Sequence, residues 1–292
     1  MRGIRRLLNA AIKAKQAMGL KSAGFVGIHD TMLRSIQPRQ DWNQRVHHVL
    51  KDGPKLKKLR VLTAFNAVTD YILQVNPQAV ETAFLALDEA KRKKVLEKSH
   101  ADSGHLAQPT EFLSQLIYCM RIGKAARAVA SPETLKWLED AFGQPKEKRL
   151  GGQAALMAAQ LAQLGAKTYV YPALLSVDQA KLLEGHGAVP VVRKKKLSFS
   201  KPLKAARPED PTSMSWIFEF KRGDILNVGE AITCPRDNRL IVAYPAAYVP
   251  VFKKEVEPFL GKMAKTVDLF LVSGYHALKA KNAKAEGKTI LA

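Results

Sequence analysis

Four short stretches of the chain gather side chains able to do chemistry. The first, Phe65-Asn66-Ala67-Val68-Thr69-Asp70, sets an amide and a carboxylate directly after an apolar run. An amide that both donates and accepts, placed close to an acceptor-only carboxylate, suits the hydroxyls of a sugar. Asp70 is also a residue type that caps helices, and spacing alone leaves both readings open. In the second stretch, Gly151 and Gly152 open an Ala-rich segment and Gln153 follows them. Glycines there let backbone N–H groups approach a ligand closely, and Gln153 adds a donor and an acceptor; a tight connection is the plainer reading of the same pair. The third is Cys234-Pro235-Arg236-Asp237-Asn238-Arg239. Its two guanidiniums suit bidentate contact with a phosphate, or else the segment is an exposed polar turn. The fourth runs from Asp268 through an apolar stretch to Ser273-Gly274, with a lone imidazole at His276.

These side chains need elements to hold them. Residues 61–65 form a short, nearly continuous apolar run, the pattern of a strand buried on both faces. The spacing predicts helices over 77–98, 111–130 and 132–142, a connection over 143–149, and a small-residue helix over 152–164. A strand at 168–171, a helix over 177–184 with Ser176 as its N-cap, and a strand at 189–192 follow. Residues 193–212 read as a basic, Pro-rich loop. Beyond it the pattern gives strands at 216–220 and 240–243, a helix over 251–264 and a strand over 267–272. Strands alternating with helices imply an α/β layered fold with a largely parallel sheet, in which ligands bind beyond the carboxyl ends of strands. Asn66, Gly151 and Gly274 are therefore expected at one edge of one sheet, facing a common cleft.

Composition narrows the classes. The 292 residues are 47% hydrophobic, which excludes disordered and fibrous proteins. The longest uncharged stretch, 150–166, is too short for a bilayer and is broken by Gln153, Gln160 and Gln163. No membrane span and a cytoplasmic location are expected. The first 24 residues are basic and free of acids, the make-up of a transit peptide or, more plainly, of a basic first helix. Cys119 and Cys234 lack partners at metal-ligand spacing and read as buried reduced thiols. Lys and Arg number 47 against 26 Asp and Glu, a net charge of +21, with basic runs at 51–60, 91–94 and 193–196. A field of that sign attracts phosphates, whether of a nucleotide, a sugar phosphate or nucleic acid. The runs lack the interleaved aromatics of single-strand binders.

Taken in order, the four stretches resemble the ADP-dependent glucokinases and phosphofructokinases. That family has an Asn-x-Asn-x-Asp stretch after its first core strand, a Gly-Gly-Gln-Ala segment opening a helix, an Arg-(Glu/Asp)-Asn-Arg segment entering a strand, and a strand ending in Ser-Gly. Here these are similar to 66–70, 151–154, 236–239 and Ser273-Gly274. Residues 110–125 resemble the family helix that supplies an acidic sugar-recognition residue, which would be Glu111. The sequence departs from the pattern at Val68, where the family has its second Asn, and at Ser114-Gln115, where it has a glycine pair. No Gly-x-Gly-Asp occurs anywhere in the 292 residues.

The resemblance implies a ribokinase-like core with helices on both faces of a largely parallel sheet, and a smaller α/β lid. The core would comprise 1–70, 150–192 and 234–292, and the lid 71–149 and 193–233. It implies ADP-dependent phosphorylation of glucose or fructose 6-phosphate with Mg²⁺. Asn66, Asp70, Glu111, Gly151, Gly152 and Gln153 would meet the sugar and Arg239 a phosphate. The catalytic base of such a kinase is the Asp of Gly-x-Gly-Asp, so the C-terminal part that carries it is expected to be missing, or to come from a separate chain. The alternative is a non-catalytic basic protein that holds nucleic acid or an acidic partner.

Overall fold

The computed structural model describes residues 56–99, 104–143, 145, 147–245 and 252–274. The basic N-terminal segment and His276 lie outside them. The chain leaves β1 (Arg60–Phe65) for β2 (Val68–Gln74), then runs α1 (Pro77–Leu85), α2 (Glu89–Lys98), β3 (His105–Leu106), α3 (Pro109–Ile122), β4 (Ala126–Ala130), α4 (Pro132–Phe142) and β5 (Glu147–Gly151). It continues through α5 (Gln153–Gln163), β6 (Lys167–Pro172), α6 (Val177–Leu183), the hairpin β7 (Val189–Arg193) and β8 (Lys196–Ser200), and the short α7 (Pro202–Ala205). Next come β9 (Met214–Phe220), the small hairpin β10 (Ile225–Asn227) and β11 (Ala231–Thr233), then β12 (Asn238–Tyr244), α8 (Leu260–Thr266) and β13 (Leu269–Val272).

Two principal sheets result. One is parallel throughout, in the order β13-β1-β6. As its apolar run requires, β1 is buried on both faces. Leu62 and Ala64 join Tyr169, Tyr171, Leu260 and Met263 on one side, and α5 covers the other. The second sheet has six strands in the order β3-β4-β12-β9-β2-β5 and is mixed: β12 runs antiparallel to β9, and β5 to β2. It alternates strictly. Tyr71, Trp216, Phe218, Leu240 and Val242 pack under α3 and α4 with Phe112, Leu116 and Leu138. The residues between them point to the other face.

Several elements differ from the sequence reading for local reasons. The helix expected over 111–130 stops at Ile122, because Gly123 takes the left-handed conformation (φ 62°) that ends helices. The freed chain becomes β4, an edge-side neighbour of β12. The helix expected over 77–98 is two, since Asp88 accepts from Lys91 N and caps a second start. Within the connection expected over 143–149, residues from 147 onward form the strand β5, which runs to Gly151 on β2. The expected loop over 193–212 holds β8, turned back through Lys194 and Lys195 at φ 47° and 58°, and α7. The expected 251–264 helix is confined to a turn at Glu257–Phe259 followed by α8. Ser176 caps α6 as read.

The division into units also shifts. Segment 234–292 is expected in the core, yet β12 lies in the interior of the six-stranded sheet, where it pairs with both β9 and β4. Residues 193–205, assigned to the lid, stay with the parallel sheet's side through β7 and α6. Among the described residues the six-stranded unit is the larger of the two sheets.

Candidate functional site

The two sheets meet where β1 becomes β2. Asn66 and Ala67 make that crossing, and β13 ends beside it: Phe65 N donates to Ser273 O at 3.2 Å, and Ser273 N donates to Ala64 O. Asn66 and Ser273-Gly274 thus share the carboxyl edge of the parallel sheet, as expected. Gly151 does not belong to that edge. It ends β5 in the other sheet, in register with Val68, so these segments meet at a junction of two sheets and not along one edge.

Asp70 is in mid-register on β2, opposite Ser215 on β9 and Arg149 on β5, which excludes the helix-cap reading. Its neighbours Thr69 and Tyr71 face the helix-covered core, so its carboxylate faces the open side. A Cβ on Gly151 would lie 2.3 Å from Asp70 Cγ, so the missing side chain at 151 is what makes room for this carboxylate. Burial pushes its pKa up to about 6, against which the Arg239 guanidinium pulls it down. None of the described residues hydrogen-bonds to the Asp70 carboxylate. A carboxylate largely withdrawn from water yet spared internal partners is suited to accept from a ligand.

Gly152 has φ 85°, and a Cβ there would meet Asn66 O at 2.5 Å. The first-turn N–H groups of α5 are spent on that same carbonyl: Ala154 N donates to Asn66 O at 2.9 Å and Ala155 N at 3.3 Å. Gly152 therefore seats the chain's own crossing strand, the tight connection that was the plainer of the two readings. Gln153 follows as an exposed first residue of α5.

The Arg-Asp-Asn-Arg segment divides its labour. Arg236 Nε and Asn238 Nδ2 both donate to Gly123 O, completing the cap of α3, and Asp237 Oδ1 accepts from Arg222 N at 2.7 Å. Arg239 has no side-chain hydrogen bond to the described residues. It alternates with the buried Leu240 and so shares the open face with Asp70. Glu111 stands apart from them. It lies on α3, over the opposite face, and its Oε2 accepts from Ala107 N at 2.6 Å and Gln108 N at 3.2 Å as part of a capping box. The sequence had already shown a Glu near a helix start, and that position explains it without a ligand.

Arg127 was missed. It is exposed on β4 opposite Ile241, and so shares the open face with Arg239. Neither arginine has an ion pair among the described residues. The alternation in Ala-Arg-Ala-Val-Ala carried the signal, masked by the helical reading of 111–130. Both cysteines are buried, and they form no disulfide with each other. Among the described residues no group of three His, Cys, Asp or Glu side chains could hold a metal. No described helix is long and apolar enough to cross a membrane.

A family profile described as the ADP-specific Phosphofructokinase/Glucokinase conserved region matches residues 59–290. The ADP-specific phosphofructokinase of Pyrococcus horikoshii is 31% identical over 228 residues, 76% of this chain and 50% of that protein. The crystal structure of a hypothetical ADP-dependent phosphofructokinase from Pyrococcus horikoshii OT3 superposes with TM-score 0.65 at 30% identity, covering 76% of this chain and 49% of that one. An ADP-dependent kinase in complex with fructose-6-phosphate and ADPβS gives TM-score 0.65 at 29% identity, over 82% of this chain and 47% of the other. The chain spans about half the length of the curated relatives it matches.

Proposed function

Since the chain belongs to the ADP-specific phosphofructokinase/glucokinase family, we propose that it carries the sugar-binding half of an ADP-dependent sugar kinase, with fructose 6-phosphate as its preferred ligand. The observation that carries this reading is the Asp70 carboxylate, half-buried and seated over Gly151, with no hydrogen bond from the described residues and with Arg239 as its electrostatic neighbour. It accepts hydrogen bonds from sugar hydroxyls beside the Asn66 crossing, with Gln153 at the rim. Arg239 meets a phosphate on the same face, and the six-stranded sheet acts as a lid over the parallel one. The preference for a sugar phosphate over glucose is supported by Arg239 and Arg127, which form no ion pair among the described residues, by the capping role that occupies Glu111, and by relatives that are phosphofructokinases.

In this reading the chain binds and orients. A kinase of this class also needs a base for the attacking hydroxyl and N–H donors for the transferring phosphoryl, and the 292 residues contain no Gly-x-Gly-Asp to supply them. ADP and Mg²⁺ would therefore be engaged together with that part of the kinase. Calorimetry with fructose 6-phosphate and with glucose tests the reading. Fructose 6-phosphate should bind more tightly than glucose. Asp70→Ala should weaken both, since each loses two hydroxyl bonds to a desolvated carboxylate, and Arg239→Gln only the phosphate ester. Equal affinities for wild type and Asp70→Ala would defeat it.

A further inference from the structure

The chain passes between the two sheets at the Asn66-Ala67 crossing and again just before β9. Both crossings are held by one side chain. Gln179 on α6 is 2% exposed, and its Nε2 donates to Ala67 O at 2.9 Å. Its Oε1 accepts from Ser213 N at 3.2 Å and from Ser176 N at 3.2 Å. A capping box needs only the Ser176 bond. The other two reach residues remote in sequence. The crossings are also tied to each other, since Thr69 N donates to Ser213 O at 2.8 Å. Thr212 Oγ1 donates to Ser176 Oγ at 2.8 Å, which fastens the second crossing to the start of α6. Immediately beyond these anchors the two strands pair through Asp70 and Ser215.

We propose that Gln179 is a positioning residue for the sugar site: its single carboxamide sets how β2 and β9 leave the parallel sheet, and so where Asp70 stands over the junction. A buried amide is costly unless its groups are bonded, so only arrangements that satisfy both crossings at once are low in energy. The side chain does this as a neutral donor and acceptor. Glutamate would keep the two acceptor bonds but, when ionised, would present a second oxygen to Ala67 O. Once protonated it could donate there again.

The experiment compares wild type with Gln179→Met and Gln179→Glu by amide hydrogen exchange and by calorimetry with fructose 6-phosphate across pH. In Gln179→Met the Ser213 and Thr69 amides should exchange about tenfold faster, the loss of a buried hydrogen bond, while Val170 in β6 and Phe218 in β9 hold. Fructose 6-phosphate should bind about tenfold more weakly. In Gln179→Glu the affinity relative to wild type at the same pH should recover as pH falls through the carboxyl range, which cancels the titration of Asp70 itself. Unchanged exchange at Ser213, equal acceleration at Val170 and Phe218, or a flat affinity ratio would overturn the assignment. Should Gln179→Met not fold, Gln179→Glu decides alone. The affinity arm rests on the sugar-site reading. If wild type does not bind fructose 6-phosphate, that reading falls, and the exchange arm still tests the pin.

Discussion

Asp70 is a carboxylate that the fold would prefer neutral. Burial raises its pKa to about 6 from 3.8, so its protonated form is the one that folding favours. A group with a raised pKa contributes stability below its unfolded value and loses that contribution as pH rises through its folded value. The shift corresponds to at most about 3 kcal/mol, discounted to about 1 kcal/mol for a carboxyl partly open to solvent. Asp70→Asn, of nearly the same shape and without the charge, should therefore unfold at higher denaturant concentration than wild type at pH 8 and nearly equally at pH 4. The same substitution should weaken sugar binding at pH 8. Wild-type affinity should fall as pH drops below about 6, because the acid form accepts fewer hydroxyl bonds. Stability lost at a position in exchange for binding is the expected signature of a functional residue. Such a residue was visible in the sequence only as an Asp after an apolar run. What sets it apart from a cap is the pleat of β2, which no local spacing reports.

Gly151 and Gly152 show how much of the site depends on secondary structure and how little of that was legible. The pair was readable as a place where backbone must come close to something. What it comes close to, the Asp70 carboxylate and the Asn66 carbonyl, depends on β5 lying beside β2, and 143–149 reads as a connection because Glu147, Lys148 and Arg149 are all exposed on an edge strand. The parallel sheet was legible for the opposite reason, since β1 and β6 are buried apolar runs with few other interpretations. The 126–130 strand was hidden behind a helix whose end is set by Gly123 together with Arg236 and Asn238, partners far away in sequence. Gly151→Ala separates the two roles. Its φ does not demand glycine, so the cost is steric: the new Cβ displaces Asp70, and the protein should lose about 1–3 kcal/mol by chemical denaturation. Sugar binding should fall at least as far as in Asp70→Ala. A Gly151→Ala protein that binds normally would show that Asp70 does not occupy its seat when ligand is present.

The charge of the chain, +21, acts on any anion that comes near, and two classes of anion are distinguishable by their response to salt. A sugar phosphate held by Asp70 through hydroxyls and by Arg239 through one phosphate involves few ionic contacts, so its affinity should decline gently as salt rises. A nucleic acid spread over the exposed lysines of the β7–β8 turn and of α2 would release a counterion for each phosphate neutralised, and its affinity should collapse over the same range. The expected result is fructose 6-phosphate binding that persists at moderate salt, and random-sequence DNA binding that is weak and steeply suppressed. Persistent, salt-tolerant DNA binding with no sugar phosphate binding would favour the non-catalytic basic protein instead. A coupled assay with ADP and Mg²⁺ completes the comparison. A single anion-stabilising donor contributes about 3 kcal/mol to a reaction of this kind. The proposed sugar site offers Asp70 and Arg239, but the 292 residues hold no Gly-x-Gly-Asp to bring a base to the attacking hydroxyl. Turnover by these residues alone should stay at background, and should appear when a polypeptide carrying Gly-x-Gly-Asp and completing the parallel sheet is supplied. Robust turnover without it would mean that a base lies among residues outside the described ones, and mutating the carboxylates there in turn would find it.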